Sequence, residues 1–138
     1  MIVVNIVLLA TGAFVVIVQG YNWFAVWDIM PLLGSAVLSE FTIASCGGEW
    51  AKTPLAPRLS IVVMVLAVVA LTLYFHLSWL VPLDGTVSES ATDGVVFILA
   101  PLYTLFGGGL GYGIGYAGGR MLTKATGPAQ TTGVGPQS

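Results

Sequence analysis

The sequence predicts an all-α membrane protein, a bundle of four transmembrane helices that run up and down across the bilayer. Of the 138 residues, 57% are hydrophobic and only 7% are charged. A soluble domain carries roughly a quarter charged residues, because its surface faces water. The mean hydropathy of +0.95 also indicates that lipid surrounds most of the chain. Helices satisfy their own backbone hydrogen bonds in lipid, and the sequence has no strand pattern long enough for a closed barrel.

Four segments are long and apolar enough for a span, since about 20 apolar residues cross a hydrocarbon core of roughly 30 Å. The predicted spans are residues 2–19, 28–46, 59–81 and 94–119, so that residues 1–119 form one transmembrane domain. The links are short, which favours antiparallel neighbours. Residues 120–138 are rich in Gly, Pro, Thr and Gln. We expect this segment to be a disordered, flexible tail.

The basic residues predict the orientation. Lys52 and Arg58 lie in the second link, and Arg120 and Lys124 follow the fourth span. The other two links contain no Lys or Arg, and the acidic residues on that side are Asp28, directly after the first link, and Asp84, Glu89 and Asp93 in the third. The positive-inside rule therefore places both termini in the cytoplasm, as expected for the cytoplasmic (inner) membrane of a bacterium or archaeon. The alternative is that the first segment is a cleaved signal peptide, although no basic residue precedes it and it is long for such a peptide.

The fourth span contains a glycine-zipper pattern. One helix face repeats glycine every four residues and a neighbouring face repeats the spacing: Gly107, Gly111, Gly115 and Gly119, then Gly109 and Gly113. Small residues let two helix backbones approach closely. Because each glycine costs about 1 kcal/mol of helix propensity relative to alanine, we expect another helix to pack there. Three interpretations are open: packing against the first or second helix, association between copies of the chain, or a glycine-lined conduit.

Glu40 is the main candidate for a binding site, because an ionised carboxylate inside a span costs roughly 3 kcal/mol on insertion scales. The nearby hydroxyls of Ser39 and Thr42 extend this polar region. Glu40 is a candidate for binding a proton or cation, or it is a neutral carboxyl that hydrogen-bonds to another helix. His76, the only histidine, is a further candidate, against the alternative of an interfacial histidine bonded to water or backbone. We expect about 10 Å of depth between His76 and Glu40, too far for a direct pair.

The same residues exclude several function classes. The sequence has no nucleophile–base pairing, metal-ligand cluster or cofactor fingerprint, so we expect no enzyme, bound metal or cofactor. It has no cluster of Lys and Arg, so we expect no nucleic-acid partner. The favoured hypothesis is a small channel or transporter that works as an oligomer. The alternatives are an accessory or assembly subunit of a larger membrane complex and a phage holin-like pore former. The expected partners are the lipid bilayer and further copies or other membrane subunits.

Overall fold

The computed structural model describes residues 2–20, 22–80 and 92–126, and within these ranges it is helical and contains no strand. The helices are α1 (Ile2–Gln19), α2 (Trp23–Ser45), α3 (Leu55–Leu80) and α4 (Thr92–Thr126), with a short 3-10 helix at Trp50–Lys52. The all-α prediction is therefore confirmed. Helices α1 and α2 and the Leu55–Ser78 part of α3 are each long and apolar enough to cross a membrane. These three helices are consistent with an integral membrane protein.

Helix bounds differ from the predicted spans by four or more residues at three places, and one of these is the beginning of α3 at Leu55 rather than at residue 59. Helix α2 begins at Trp23 rather than at residue 28, because Asn22 caps it: Asn22 Oδ1 accepts a hydrogen bond from the Ala25 N–H at 2.9 Å. Helix α4 continues to Thr126, beyond the predicted start of the tail at residue 120. The remainder of that tail lies outside the described residues, as does most of the third predicted link.

A tight corner joins α1 to α2 and makes them antiparallel neighbours. Gly20 ends α1 with a φ of 75°, a left-handed conformation that glycine adopts without strain. Asn22 Nδ2 donates a hydrogen bond back to the Gln19 carbonyl at 2.9 Å. Side-chain contacts then join the two helices near both ends, from Gln19 to Asp28 and from Asn5 to Glu40. Positions at the end of α1 therefore face positions at the beginning of α2.

The repeated glycines of α4 pack against α3, which lies antiparallel to it. A Cβ atom added at Gly115 would lie 2.6 Å from both the Leu59 carbonyl oxygen and the Ser60 Cα. A Cβ at Gly119 would similarly overlap the backbone of Ala56. Of the three interpretations, the one in which this face packs against the first or second helix was wrong. The spacing identified a face for close packing, and within the described residues the backbone that meets this face belongs to α3.

Helices α2 and α4 run in the same direction in a fixed register. Near the beginning of α2, Trp27 Nε1 donates to the Ile98 carbonyl at 3.2 Å. Near its end, the Thr42 and Tyr112 hydroxyls lie 3.2 Å apart. These contacts place a residue of α2 level with the α4 residue numbered about 70 higher. Depths along the two helices can therefore be compared directly.

The core lies where α3 meets the other helices. Its buried apolar residues come mostly from α3, with contributions from α1 and α2: Ile61, Met64, Val65 and Val68, with Leu8, Leu32 and Ile43. The outer faces are apolar too, and Ile17 (81% exposed) and Val37 (69%) are examples. A soluble monomer rarely exposes so much apolar surface, so the outer faces suit contact with lipid or with other membrane proteins.

Candidate functional site

Three polar side chains from three helices meet below the α1–α2 corner. Gln19 Nε2 lies 2.5 Å from Asp28 Oδ2 and 3.1 Å from His76 Nε2. The His76 Nε2 and Asp28 Oδ2 atoms are 3.6 Å apart. Asp28 is 4% exposed and His76 is 2% exposed. We call Gln19, Asp28 and His76 the polar cluster; it places two buried titratable groups side by side, bridged by one amide.

The local folding of each helix explains why these side chains meet. Gln19 is the last residue of α1, and the capped start of α2 puts Asp28 more than a turn inside that helix. On α3, the His76 ring is held by its own backbone, with Nδ1 2.7 Å from the Thr72 carbonyl oxygen. Phe14 of α1 packs edge-on against the ring, with ring centroids 6.5 Å apart. The orientation of the imidazole is therefore fixed from two sides.

The hydrogen bonds of the cluster depend on its proton content. A carbonyl oxygen only accepts, so His76 Nδ1 carries a hydrogen. In a neutral ring, Nε2 then accepts one N–H of Gln19, while the other N–H goes to Asp28. If Nε2 carried a hydrogen, it would need an acceptor. Asp28 Oδ2 would provide one, and so would the Gln19 amide if it rotated by 180° to present its oxygen. The cluster thus has two hydrogen-bonding arrangements that differ by one proton.

A small cavity of about 10 Å³ adjoins the cluster on the side of α4. It lies between α2, α3 and α4 and is lined by Asp28, Thr72, Phe75, His76, Ala100, Pro101 and Thr104. This volume is near the lower limit for one water molecule. The lining is suitable for water, because Asp28 Oδ1 is buried without a hydrogen-bond partner among the described residues. Pro101 has no N–H, so the backbone carbonyl one turn earlier in α4 lacks its helical hydrogen bond.

The structure separates the residues that the sequence grouped around Glu40. The Glu40 side chain lies on the exposed side of α2 and accepts a hydrogen bond from Asn5 Nδ2 at 3.1 Å. Ser39, the preceding residue, is fully buried on a side of α2 that faces the other helices. Thr42 is also buried and contacts Tyr112 of α4. Of the predicted binding candidates, His76 alone belongs to the polar cluster, and Glu40 lies away from it.

Sequence reasoning missed two members of the cluster. The predicted spans put Asp28 at the beginning of the second span and Gln19 at the end of the first, so neither was predicted as a site residue. The available signal was Asn22, a good capping residue followed directly by Trp23 and further helix-compatible residues. Starting α2 there places Asp28 inside the helix, across a short turn from Gln19.

Within the described ranges, no group of three or more His, Cys, Asp and Glu side chains could hold a metal ion. The Gly109 and Gly113 face of α4 is open, since a Cβ added at either glycine meets nothing within 4 Å. No protein-family model, curated protein or solved structure matches the chain.

Proposed function

We propose that this chain is a small, non-catalytic membrane transporter that moves protons, alone or coupled to another ion, through the polar cluster. The observation that carries the proposal is the Asp28–His76 pair, buried at the junction of three helices and bridged by the Gln19 amide. Ionisable residues inside membrane helices are costly, and by default they mark proton or ion pathways. A pair with two arrangements differing by one proton has the property that a proton carrier needs.

In the proposed topology α4 is the fourth span, and its glycine zipper packs on α3. Both termini lie in the cytoplasm, as the distribution of Lys and Arg favours. The polar cluster then lies toward the outer surface and Glu40 toward the inner one. The two carboxylates are about 18 Å apart along α2, which is too far for a direct proton transfer. We therefore propose that several copies assemble, so that the rest of the path lies between helices of the oligomer.

The experiment is proton flux into liposomes, driven by a pH gradient and followed with a trapped pH-sensitive dye. His76→Asn retains a side-chain N–H that can donate to the Thr72 carbonyl but removes the titratable nitrogen at Nε2. We expect flux in the wild type and its loss in His76→Asn. Glu49→Gln is the control, because Glu49 is an exposed acid paired with Lys52 at the other end of the bundle. Wild-type flux that His76→Asn leaves unchanged, or an absence of flux in the wild type, would contradict the proposal.

A second candidate function is that of an accessory subunit in a larger membrane complex. It is favoured by Glu40 and Asn5, which form a polar pair on an otherwise apolar outer face. A carboxylate that faces lipid is unfavourable, so this face suits coverage by protein. Purification in a gentle detergent from the native cell tests this function. A different membrane protein retained in fixed stoichiometry would support it, whereas an isolated monomer would count against it.

A further inference from the structure

An apolar groove of about 950 Å³ lies along the outer side of the α1–α2 pair. Its small lining residues include Gly12 and Ala36, and larger ones such as Val37 and Phe41 form its sides. Asn5 and Glu40 form its polar end. Along α2 the lining runs from residue 29 to residue 44, a length of about 22 Å at the rise of an α-helix.

The length of the groove favours a transmembrane helix as its occupant. The hydrocarbon core is roughly 30 Å thick, so the tails of one lipid leaflet account for about half of that depth. A groove of about 22 Å extends past the midplane and exceeds what one leaflet covers. Small residues in its lining would let a helix backbone approach closely. The occupant that matches this shape is therefore a helix rather than a single lipid tail.

The polar end of the groove requires a hydrogen-bond donor. Glu40 has Asn5 as its hydrogen-bond partner there, and a carboxylate accepts several hydrogen bonds. The Lys and Arg residues of the chain lie toward the ends of the helices rather than along this groove. A helix entering the groove is therefore expected to bring a donor to the level of Glu40.

The open face of α4 has the matching features. Gly109 and Gly113 lie at nearly the same depth as Glu40, according to the register between α2 and α4. Both have open space around an added Cβ, so a partner helix can approach them. Tyr116, one turn farther along, is 42% exposed. The register places the Tyr116 Cα about 8 Å farther along than the level of Glu40. Its Cα–Cβ bond points back toward the beginning of α4, as in every α-helix, so the long phenol side chain can reach toward that level.

The geometry points to a second copy of this chain as the occupant: the open face of α4 in one copy fills the α1–α2 groove of the next. The Tyr116 hydroxyl then donates to Glu40 of the neighbouring copy. This inference rests on the oligomeric part of the proposed function and does not depend on its proton chemistry. Because two different surfaces meet, the contact is heterologous, and repeating it gives a closed ring or a growing row.

Disulfide trapping in membranes tests this contact. In a Cys46→Ser background, Val37→Cys is placed on one tagged copy and Gly109→Cys on a differently tagged copy. We expect an oxidised heterodimer when the two are co-expressed and no dimer from either variant alone. A second pair, Phe41→Cys with Gly113→Cys, tests the same contact in case the thiols of the first pair cannot reach the geometry of a disulfide. Leu66→Cys is the control partner for both, since Leu66 is 63% exposed on α3 at a similar depth.

Each outcome decides the inference. Heterodimers with both pairs, or with one, and none with the Leu66→Cys control, support it. A dimer from Val37→Cys alone would indicate groove-to-groove contact and overturn it. Failure of both pairs would leave the groove to lipid or to another protein and also overturn it. Trapped heterodimers together with a His76→Asn variant that keeps wild-type proton flux would overturn the proton pathway alone. Loss of flux in His76→Asn together with failure of both pairs to form heterodimers would overturn this contact alone.

Discussion

Helix α2 carries two carboxylates, and the structure gives them opposite environments. Asp28 is 4% exposed and lies beside His76 and Gln19, whereas Glu40 is on the outer side of the helix with Asn5. The two groups have nearly the same chemistry and the same helix. What differs is the number of helices that surround them. The role of a carboxylate in a span therefore depends more on the face of the helix that it occupies than on its depth along the span.

The largest expected difference between the two carboxylates is in stability. Asp28→Ala would leave His76 and Gln19 buried without their partner, and breaking a buried pair in this way costs about 3–5 kcal/mol. Glu40→Ala would remove an exposed group with one hydrogen bond and change the free energy of unfolding by about 0.6 kcal/mol or less. Unfolding in detergent by titration with sodium dodecyl sulfate measures both. Equal losses would show that the two environments are energetically alike.

Removing the amide partners sharpens the comparison at a smaller scale. Gln19→Leu takes hydrogen bonds from two buried groups, and we expect a loss of about 1–3 kcal/mol. Asn5→Leu removes one hydrogen bond between helices. Such bonds stabilise membrane proteins by about 0.6 kcal/mol on average, so we expect a loss of this size. The same unfolding assay ranks the two variants. A larger loss for Asn5→Leu would contradict the assignment of the polar cluster as the tighter of the two sites.

The two glycine faces of α4 extend the contrast between inner and outer surfaces. Gly115→Ala would force a Cβ into the backbone of α3, and overpacking of this kind costs about 1–3 kcal/mol. Gly113→Ala has open space and should leave the stability of the monomer unchanged or slightly raised. Gly113 lies on the face of α4 that is proposed to enter the groove of a neighbouring copy, so we expect Gly113→Leu to weaken assembly while the monomer stays folded. Size-exclusion chromatography beside the unfolding assay separates these effects.

Much of the helical architecture follows from sequence, because lipid forces apolar segments to satisfy their backbones internally. The beginning of α2 was harder to predict. Trp23 and Trp27 are typical of an interface, and the cap at Asn22 decided the boundary locally. The glycine spacing of α4 defined a packing face, but no feature of that spacing identified α3 as its partner. The same is true of Glu40, since only the assembled helices determine which side of α2 is covered.

The most direct test of the central claim compares Asp28→Asn with Glu40→Gln in the same liposome proton-flux assay. Each substitution keeps the size of the side chain and removes one titratable carboxylate. If the polar cluster carries the proton, Asp28→Asn reduces flux to the level of protein-free liposomes, while Glu40→Gln retains flux through a folded, reconstituted protein. The account would be contradicted by the opposite result, in which Asp28→Asn conducts as the wild type does and Glu40→Gln does not.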